Sequence, residues 1–513
     1  MSDQKTITRQ TLILFVFIVA MSLVPRFYNI ADPATYHLHP IRQFQSLMVA
    51  RNFYEQGMNL LDPRLDAGIN QSVPPSPVAL ELQLMQYIAA GAYHVIGVKE
   101  WVGNVLAVLF FVGAAVFFFL IASKYLSTNY ALLAALIFCF SPESFKYSRA
   151  FIPDFEVLFY ALGSLFFFER YLISEQRKDY VLTLMFLALT FLTKINYLFV
   201  AIIILIMALA RYGLRAFTMG RLWLLAVASL APSAWYYTYA SRIAEGAHNY
   251  VTSMVKGRVL PYLATNLISL DFYRVLYTNS SKYFSAVGLL LAALGLARLL
   301  WRSETNYLKS LLGGWIFAVA VYFLVMGRDL LAPHVYYFLP LLPLGSLGIA
   351  ACFELLVGYF PAVRYRENLV RLVLPFIVLG AAVGIIFLLN GYYASIRPEV
   401  NLYLTAAQQL RSTTEPDDLI VYVTEDTGWT YFIMYYSHRR GWHLWQPQEK
   451  SGLEKTIRTW QRLGARYVYI LSPDDYKYLP EGAFDWTFVK NLEARNKKVS
   501  TVTVGSLVEL STI

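Results

Sequence analysis

Eleven apolar stretches, most of them close to 20 residues long, constrain this chain more than any other feature of its sequence. A helix needs about 20 mostly apolar residues to cross the hydrocarbon core of a bilayer. The pattern therefore predicts a polytopic α-helical membrane protein with about 11 transmembrane helices. The predicted spans are residues 10–28, 101–123, 130–145, 153–171, 180–195, 197–213, 221–240, 283–301, 310–326, 335–356 and 372–393.

The composition agrees with this interpretation. The chain is 57% hydrophobic and only 15% charged, with a mean hydropathy of +0.47, whereas ordinary soluble domains carry about 25% charged residues. These values exclude a disordered chain, a nucleic-acid-binding arm and a fibrous repeat. The two cysteines, Cys139 and Cys352, lie in apolar runs, so the sequence predicts neither a disulfide framework nor a cysteine metal site.

Basic residues in the short loops set the predicted orientation, because Lys and Arg collect on the cytoplasmic side. Each predicted cytoplasmic loop carries at least one, and much of the net charge of +10 lies there. The N-terminus is expected in the cytoplasm, and the odd number of spans places the C-terminus on the outer face. No small-residue cleavage site follows the first span, which is expected to remain as an anchor. We expect a multi-pass protein of the inner (plasma) membrane.

A soluble domain is predicted after the last span. Residues 1–395 form the predicted transmembrane domain, and residues 396–513 form a predicted periplasmic or extracellular α/β domain with a binding or scaffolding role. The run 435–442 mixes aromatic and basic residues and is predicted to be a strand end and a turn, with glycan contact as the alternative. The other predicted elements are helices 401–411 and 451–463 and strands 418–423 and 467–471.

The first outer loop contains two further helical patterns. Apolar positions between residues 42 and 54 fall on one helical stripe, and 13 residues are too few to cross a bilayer. We expect an interfacial helix on the outer surface. The stretch 79–97 is apolar but includes Glu81, Gln83, Gln86 and His94. It is predicted to be a second juxtamembrane helix.

Polar residues just after the first span are candidates for a phosphate site. His37 and His39 precede the interfacial helix, at the depth of a lipid phosphate, although a pair of ordinary loop histidines is the alternative. Arg42 is either a solvated residue at the start of the helix or a fork that binds phosphate oxygens.

These residues resemble the GT-C superfamily of polyprenyl-phosphate-sugar-dependent glycosyltransferases, in particular the glycosyltransferase 39 type. That type includes protein O-mannosyltransferases and aminoarabinose transferases. Its first loop carries Asp-Glu-x-Arg-Tyr-x-x-x-Ala-Arg, and the matching stretch here is His39-Pro40-Ile41-Arg42-Gln43, with Ala50-Arg51 further on. The layout of spans, long first loop and outer domain is similar over most of residues 10–395. The resemblance implies a GT-C-like fold, with His37, Arg42 and Gln43 in the substrate site.

The chain departs from the family where the family has its acidic pair. His39 stands in place of the catalytic Asp, and Pro40 replaces the second acid. A neutral imidazole, with a pKa of about 6.5, can accept a proton near pH 7. We therefore predict His39 as the general base. Asp32, Asp62 or Asp66 as the base, or an altered or inactive site, are the alternatives.

Charged residues at the outer ends of later spans are the next candidates, because such residues in a membrane protein are costly and often functional. Arg149 and Asp154 resemble the family's Arg-x-x-x-Pro-Asp, where the acid helps to order the active site, and the resemblance implies a catalytic role for Asp154 and substrate binding by Arg149. An interfacial ion pair is the alternative. Lys194 ends a Leu-Thr-Lys run, and the resemblance implies contact with the lipid phosphate. Snorkelling to the membrane interface is the alternative.

A third group lies before a late span. The run 328–340 resembles the family's basic and aromatic Tyr-Leu-Leu-Pro segment, so His334 and Tyr337 are predicted to bind substrate, with loop capping by His334 as the alternative. For Glu81, in the second juxtamembrane helix, the resemblance implies binding of substrate near a metal–pyrophosphate position. A divalent metal ion held by Asp154, Glu81 and His334 is a further possibility, but no spacing motif supports it.

The predicted function is transfer of a sugar from a polyprenyl-phosphate-linked donor to an acceptor hydroxyl at the outer face, with inversion. All the candidate residues fall on that face, which indicates one polar cavity that takes a lipid phosphate. The acceptor is a glycan, a lipid or a protein, and no nucleic acid is expected. A lipid or glycan transporter or flippase, and a catalytically altered GT-C-like binding protein, are the alternatives. A transporter would usually show repeated halves, and the sequence shows none.

Overall fold

Helices account for most of the structure, a computed structural model. The chain divides into two units. The first comprises Met1–Ile30, Asn104–Tyr236 and Thr252–Leu388, and the second comprises Ala31–Gly103, Tyr237–Val251 and Leu389–Ile513. The residues that the structure describes are 8–69, 71–245, 248–249, 263–302, 306–331, 334–358, 366–423, 427–444, 450–470, 497–501 and 505–510.

Each of the eleven predicted spans coincides with a helix. Among the described residues, eight helices are long and apolar enough to cross a membrane: Arg9–Phe27, Trp101–Tyr125, Asp154–Ser174, Ile195–Thr218, Leu270–Trp301, Lys309–Gly327, Leu341–Gly358 and Val373–Thr413. The other three predicted spans form the helices Thr128–Phe140, Arg177–Thr193 and Gly220–Ile243, which are not among these eight. The polytopic α-helical fold is therefore confirmed.

Two late helices of the first unit, Leu270–Arg302 and Leu341–Gly358, pack closely against each other. A Cβ atom on Gly295 would lie 1.8 Å from the carbonyl oxygen of Gly348, so glycine is required where these two helices meet. The helix Leu270–Arg302 is interrupted at Ser285, whose φ of 60° and ψ of 169° are not helical. The Ser285 hydroxyl accepts a bond from the amide of Gly288 (3.3 Å) and so caps the second half of this helix.

The second unit contains a six-stranded mixed sheet. Its strands, in the order β2-β6-β5-β7-β9-β8, are Ala67–Gly68 (β2), Arg440–Leu444 (β6), Leu419–Val423 (β5), Ala465–Ile470 (β7), Ser506–Glu509 (β9) and Lys497–Thr501 (β8). Strands β2, β6, β5 and β7 are parallel, and β9 is antiparallel to both β7 and β8. The first loop, which the sequence assigned to the transmembrane part, thus supplies β2 to the same sheet as the C-terminal segment. A smaller sheet joins Arg64–Leu65 (β1), Ser76–Ala79 (β3) and His248–Asn249 (β4).

The strands and helices predicted for the C-terminal segment are present. Strands β5 and β7 and the helix Lys450–Arg462 match the predictions within two residues. Trp442 on β6 is fully buried and stacks on Trp460 with ring centroids 5.8 Å apart. A Cβ on Gly441 would lie 1.7 Å from the carbonyl oxygen of Ile420, so β6 needs glycine where it passes β5.

The prediction for the run 435–442 was wrong at its first half. The helix Thr427–Ser437 ends there, and β6 follows. The amide of His438 bonds to the carbonyl of Tyr435 and the amide of Arg439 to that of Met434, the pattern of a Schellman cap. His438 occupies the left-handed position with φ of 52°. A histidine where glycine is usual conceals this helix end from a sequence pattern.

The predicted interfacial helix forms, but its surroundings differ from the prediction. It spans Pro40–Gln56, and residues 43–53 are all buried. The polar side chains expected off the apolar stripe are therefore covered by protein, because the helices Leu84–Ile96 and Thr427–Ser437 and strand β1 pack against it. The stretch 79–97 forms the helix Leu84–Ile96, as predicted.

Candidate functional site

A buried ion pair lies at the ends of two helices of the first unit. Asp154 begins the helix Asp154–Ser174, where a carboxylate is favoured by the positive end of the helix dipole. Lys194 follows the helix Arg177–Thr193. The Lys194 ammonium donates to Oδ1 of Asp154 at 2.6 Å, with side-chain exposures of 9% and 4%. Lys194 is therefore held inside the protein, which argues against the snorkelling alternative.

Tyrosine rings surround this ion pair. The Lys194 nitrogen is 4.9 Å from the centre of the Tyr336 ring, and Tyr147 meets that ring edge-on at 5.9 Å. Burial, and then the nearby carboxylates of Glu143 and Asp154, raise the pKa of Tyr147 above its usual range. The Tyr147 phenol therefore keeps its proton at neutral pH and remains a hydrogen-bond donor.

The segment that carries Tyr336 is fixed by two tyrosine hydroxyls. The Tyr283 hydroxyl donates to the carbonyl of Val335 at 3.1 Å, and the Tyr322 hydroxyl donates to the carbonyl of Tyr337 at 2.9 Å. Residues Val335–Phe338 form a 3-10 helix that begins directly after His334. The position of the Tyr336 ring beside Lys194 is thus set by hydrogen bonds from two other helices.

The two substrate-binding candidates in this segment lie beside Tyr336. The His334 ring centre is 5.4 Å from that of Tyr336 and 5.9 Å from that of Tyr337. Both His334 and Tyr337 are half-buried. The structure therefore brings His334 and Tyr337 into the same aromatic cluster as Lys194 and Asp154.

Arg149 is completely buried in the first unit. Its guanidinium donates to the carbonyl of Tyr28 at 2.8 Å, and its own carbonyl accepts from Asn104 at 2.6 Å. These contacts connect the end of the first span to the short helix Pro142–Ser148. Such burial favours a positioning role for Arg149 over direct binding of substrate.

In the second unit, a short 3-10 helix carries the first histidine. Pro33–Leu38 is capped by Asp32, whose Oδ1 accepts from the amide of Ala34 at 2.9 Å. Nε and Nη2 of Arg397 both donate to Oδ2 of Asp32, at 2.9 and 2.7 Å. Nδ1 of His37 is 2.9 Å from the Tyr392 hydroxyl, and Thr35 is 3.0 Å from that of Tyr393.

His39 occupies the turn between this 3-10 helix and the helix Pro40–Gln56. Its φ of −160° and ψ of 68° are outside helical space, and Pro40 begins the next helix. The carbonyl of His39 accepts from the amide of Gln43, and the Gln43 side chain donates to the carbonyl of Tyr36 at 3.2 Å. Gln43 is fully buried, so its amide group stabilises the turn that presents His39.

Arg42 pairs with Glu81 in the second unit. Its guanidinium donates to the Glu81 carboxylate and, at 3.2 Å, to Oε1 of Gln45. The two charged side chains are 18% and 11% exposed. Arg42 is therefore neither freely solvated nor an uncommitted phosphate fork, and Glu81 balances its charge.

The three aspartates considered as alternative bases all make ion pairs. Asp32 caps a helix and binds Arg397, and Asp62 accepts from Arg64 at 2.9 Å. Asp66 accepts from Arg51 and from Asn52, and its side chain is 1% exposed. In all three, a carboxylate oxygen that would have to accept the acceptor's proton already accepts hydrogen bonds from protein groups.

The possible metal set finds no support in the part of the chain that the structure describes. No group of three or more His, Cys, Asp or Glu side chains there could hold a metal ion. Asp154 and Glu81, two members of the predicted set, are paired with Lys194 and Arg42 instead.

Sequence reasoning identified both members of the Lys194–Asp154 pair but missed the tyrosines around it. Tyr147 lies two residues before Arg149, and Tyr336 lies between the candidates His334 and Tyr337, yet a chain with 38 tyrosines gives no signal that singles them out. Tyr392 was missed for a different reason, since it lies within the last predicted span and looked like an ordinary interfacial aromatic residue.

The fold and these residues can be compared with known proteins. Residues 83–237 match the family described as dolichyl-phosphate-mannose-protein mannosyltransferase. No curated protein matches the sequence. Solved structures resemble the whole chain: ArnT from Cupriavidus metallidurans bound to undecaprenyl phosphate shares 14% identity over 97% of both chains, with a TM-score of 0.64.

A second solved structure gives the same result. The oligosaccharyltransferase AglB from Archaeoglobus fulgidus, in complex with an inhibitory peptide and a dolichol-phosphate, shares 15% identity over 90% of this chain and 69% of its own, with a TM-score of 0.57. The resemblance predicted from the sequence is thus confirmed. The chain is a multi-pass membrane protein with the GT-C fold. More particularly, its segment 83–237 matches the dolichyl-phosphate-mannose-protein mannosyltransferase family.

Proposed function

We propose that this protein transfers a sugar from a polyprenyl-phosphate-linked donor to an acceptor hydroxyl at the outer face of the membrane, with inversion at the anomeric carbon. The observation that carries the proposal is the buried Lys194–Asp154 pair beside Tyr336, in a chain with the GT-C fold. ArnT and AglB, which have similar folds, are known with undecaprenyl phosphate and dolichol-phosphate bound.

Lys194 supplies the charge that such a reaction needs. An ammonium group has three N–H donors, and Asp154 accepts from one of them. Phosphate oxygens take the remaining donors when the donor lipid binds. Negative charge grows on the phosphate as the sugar leaves, and a preorganised cation stabilises that charge more in a dry site than in water. Asp154 is proposed to hold Lys194 in place.

His39 is the proposed base. Its neutral imidazole takes the proton of the acceptor hydroxyl while that oxygen attacks the anomeric carbon. The bond from this carbon to the phosphate oxygen breaks, and its electron pair leaves with the polyprenyl phosphate. The fixed turn before Pro40 and the bond from Gln43 to Tyr36 support this assignment, because they restrict the orientation of His39.

We also propose roles in this reaction for the other candidate residues. His37, His334 and Tyr337 are proposed to contact substrate, with the Arg42–Glu81 pair and Arg149 as positioning groups. The acceptor is a glycan, a lipid or a protein, and a bound divalent ion remains a prediction. The protein is proposed to lie in the inner membrane, with its N-terminus in the cytoplasm and its C-terminal domain outside.

The experiment that tests this function uses the purified full chain in lipid nanodiscs. Polyprenyl-phosphate-linked sugars and nucleotide sugars are offered in parallel, and donor consumption is followed by mass spectrometry. We expect consumption of a lipid-linked donor alone, and a 10²- to 10³-fold lower rate in Lys194→Met. Lys194→Arg keeps the charge, and Lys178→Met, an exposed lysine at the start of the helix Arg177–Thr193, is the matched control. Consumption of a nucleotide sugar, or a Lys194→Met variant as active as wild type, would contradict the proposal.

A further inference from the structure

One region of the first unit joins the ends of four helices around a single carboxylate. These helices are Asp154–Ser174, Arg177–Thr193, Phe199–Tyr212 and Gly220–Ile243. Glu175 accepts from the Tyr212 hydroxyl at 3.1 Å and from Nη1 and Nη2 of Arg221 at 3.4 and 3.3 Å. The Tyr180 hydroxyl also donates to the carbonyl of Arg221 at 2.8 Å. These contacts hold the four helix ends together, and we call this region the distal end.

The distal end is remote from the Lys194–Asp154 pair. Asp154 begins a helix of 21 residues, and a helix of that length spans about 30 Å, the thickness of a hydrocarbon core. Lys194 follows the helix whose first residue is Arg177. The distal end therefore lies on the other side of the membrane from the proposed reaction.

Positive charge is in excess at the distal end. Each of the three acidic residues in the stretches 169–179 and 211–221 pairs with a basic side chain: Glu169 with Lys124, Glu175 with Arg221 and Asp179 with Arg170. The basic residues that remain are exposed, and within the described part of the chain none of them makes an ion pair: Arg177, Lys178, Arg211 and Arg215. Four positive charges thus have no carboxylate to balance them.

Two of these four, Arg211 and Arg215, stand beside an exposed apolar surface. The 3-10 helix Gly213–Thr218 follows the helix that ends at Tyr212, and side chains three residues apart on a 3-10 helix project from the same face. Leu214 and Phe217 share such a face and are 81% and 49% exposed. The Trp223 indole, itself exposed, donates to the carbonyl of Phe217 at 2.8 Å, which fixes the position of this face.

We propose that this 3-10 helix binds an anionic phospholipid, with the guanidinium groups of Arg211 and Arg215 on the lipid phosphate. Guanidinium groups donate two parallel hydrogen bonds to phosphate oxygens. The side chains of Leu214 and Phe217 lie against the acyl chains. The inference goes beyond the proposed function, because this site is at the opposite membrane face and does not use the sugar donor.

The exposed apolar face favours a lipid over a soluble anion. A free phosphate would contact only the two arginines and leave Leu214 and Phe217 in water, whereas a phospholipid covers both kinds of group. The location agrees, because residues Ile195–Thr218 form one candidate membrane span and the 3-10 helix is its last part. Basic and apolar side chains at such a boundary are typical of a segment that lies in the interface.

Native mass spectrometry of the purified full chain in detergent tests this proposal. The probes are phosphatidylglycerol and phosphatidylcholine with the same acyl chains, at equal concentrations. Each basic residue near an anionic lipid surface strengthens binding about fivefold. We therefore expect at least a fivefold preference of wild type for phosphatidylglycerol, and loss of this preference in Arg211→Gln combined with Arg215→Gln. The matched control is Lys455→Gln combined with Arg462→Gln, which removes two exposed charges from the helix Lys450–Arg462.

A second variant covers the case in which the arginine variant does not fold. Leu214→Ser combined with Phe217→Ser keeps both charges, and we expect at least threefold weaker retention of phosphatidylglycerol. Glycerol phosphate in millimolar excess should not displace the lipid. Equal retention of the two lipids by wild type, or an unchanged preference in both variants, would overturn the proposal. Displacement by glycerol phosphate would also overturn it, since it would show a site for soluble anions.

Discussion

Lys194 and Asp154 are 40 residues apart in the sequence, yet 2.6 Å separates the ammonium nitrogen of one from a carboxylate oxygen of the other. Both side chains are buried. Taking two charges out of water is costly, and their attraction offsets that cost only when both are present. The pair is therefore expected to matter for folding as well as for transfer.

The stability of the first unit should depend on this pair being complete. Lys194→Met leaves the Asp154 carboxylate buried without its cation, and we expect a loss of about 3–5 kcal/mol in the free energy of unfolding. Lys194→Met combined with Asp154→Leu removes both charges and should recover most of this loss. Thermal unfolding in nanodiscs measures this loss, with the exposed-lysine variant Lys178→Met as the control. A single variant as stable as wild type would contradict the expectation.

Breaking a second buried ion pair should lower the free energy of unfolding more than breaking an exposed pair. Arg51 and Asp66 are 3% and 1% exposed, and Arg51 also donates to the carbonyl of Tyr435 at 2.8 Å. Arg51→Met should cost about 3–5 kcal/mol. Arg397→Met, at the more exposed pair with Asp32, should cost less than about 1 kcal/mol. Hydrogen exchange of the amides in strands β5 and β6 measures the loss in each variant. Equal losses in Arg51→Met and Arg397→Met would contradict the expectation that the buried pair contributes more.

The membrane-spanning helices could be predicted from the sequence because hydrophobic length is a local property. The same holds for the helix Pro40–Gln56 and for strands β5 and β7, whose apolar patterns are local. The pairing of β2 with β6 joins residues nearly 400 positions apart, and no local pattern records such a contact. The helix Thr427–Ser437 was missed since a left-handed histidine ends it.

Among the candidate site residues, too, local features were predictable from the sequence and long-range contacts were not. Lys194 and Asp154 were found individually, because a charge at the end of an apolar stretch is conspicuous in the sequence. Which charged residues pair with each other was not predicted. The pairs Arg42–Glu81 and Arg51–Asp66 depend on how the helices and strands are arranged in three dimensions. The ion pairs of Asp32 with Arg397 and of Asp62 with Arg64 were likewise not predicted.

The stability of the second unit should fall in mild acid through His438. Burial, and then the charges of Arg51 and Arg411, lower the pKa of His438 from 6.5 to about 4, although Asp66 acts in the opposite direction. In the unfolded chain this imidazole binds a proton as the pH falls through 6.5, while in the folded state it does so only near 4. The free energy of unfolding therefore decreases between these two values.

His438→Asn tests this pH dependence. Asparagine tolerates the left-handed backbone, where φ is 52°, and does not titrate. The variant should fold at pH 7 and lose less stability than wild type between pH 6.5 and 4, as followed by chemical denaturation at several pH values. An identical pH slope in both proteins would show that other groups are responsible.

Replacing His39 by the acid that the family carries should preserve transfer and move its pH range. A carboxyl titrates near pH 4 and an imidazole near 6.5, so the acidic limb of the kcat/KM profile should move to lower pH in His39→Asp. His39→Ala should lose transfer by 10²- to 10⁴-fold at all pH values. A pH profile that is unchanged in His39→Asp would exclude His39 as the base.

Sugar transfer from a polyprenyl-phosphate-linked donor must release polyprenyl phosphate, so the stoichiometry of the two products is the sharpest test of the proposed reaction. The full chain in nanodiscs is given a polyprenyl-phosphate-linked sugar and an acceptor, and released polyprenyl phosphate and glycosylated acceptor are both quantified. We expect one polyprenyl phosphate to be released for each sugar transferred, and at least a hundredfold lower rates in His39→Ala and Asp154→Asn. No release of polyprenyl phosphate with any donor offered, or full activity in both variants, would contradict it.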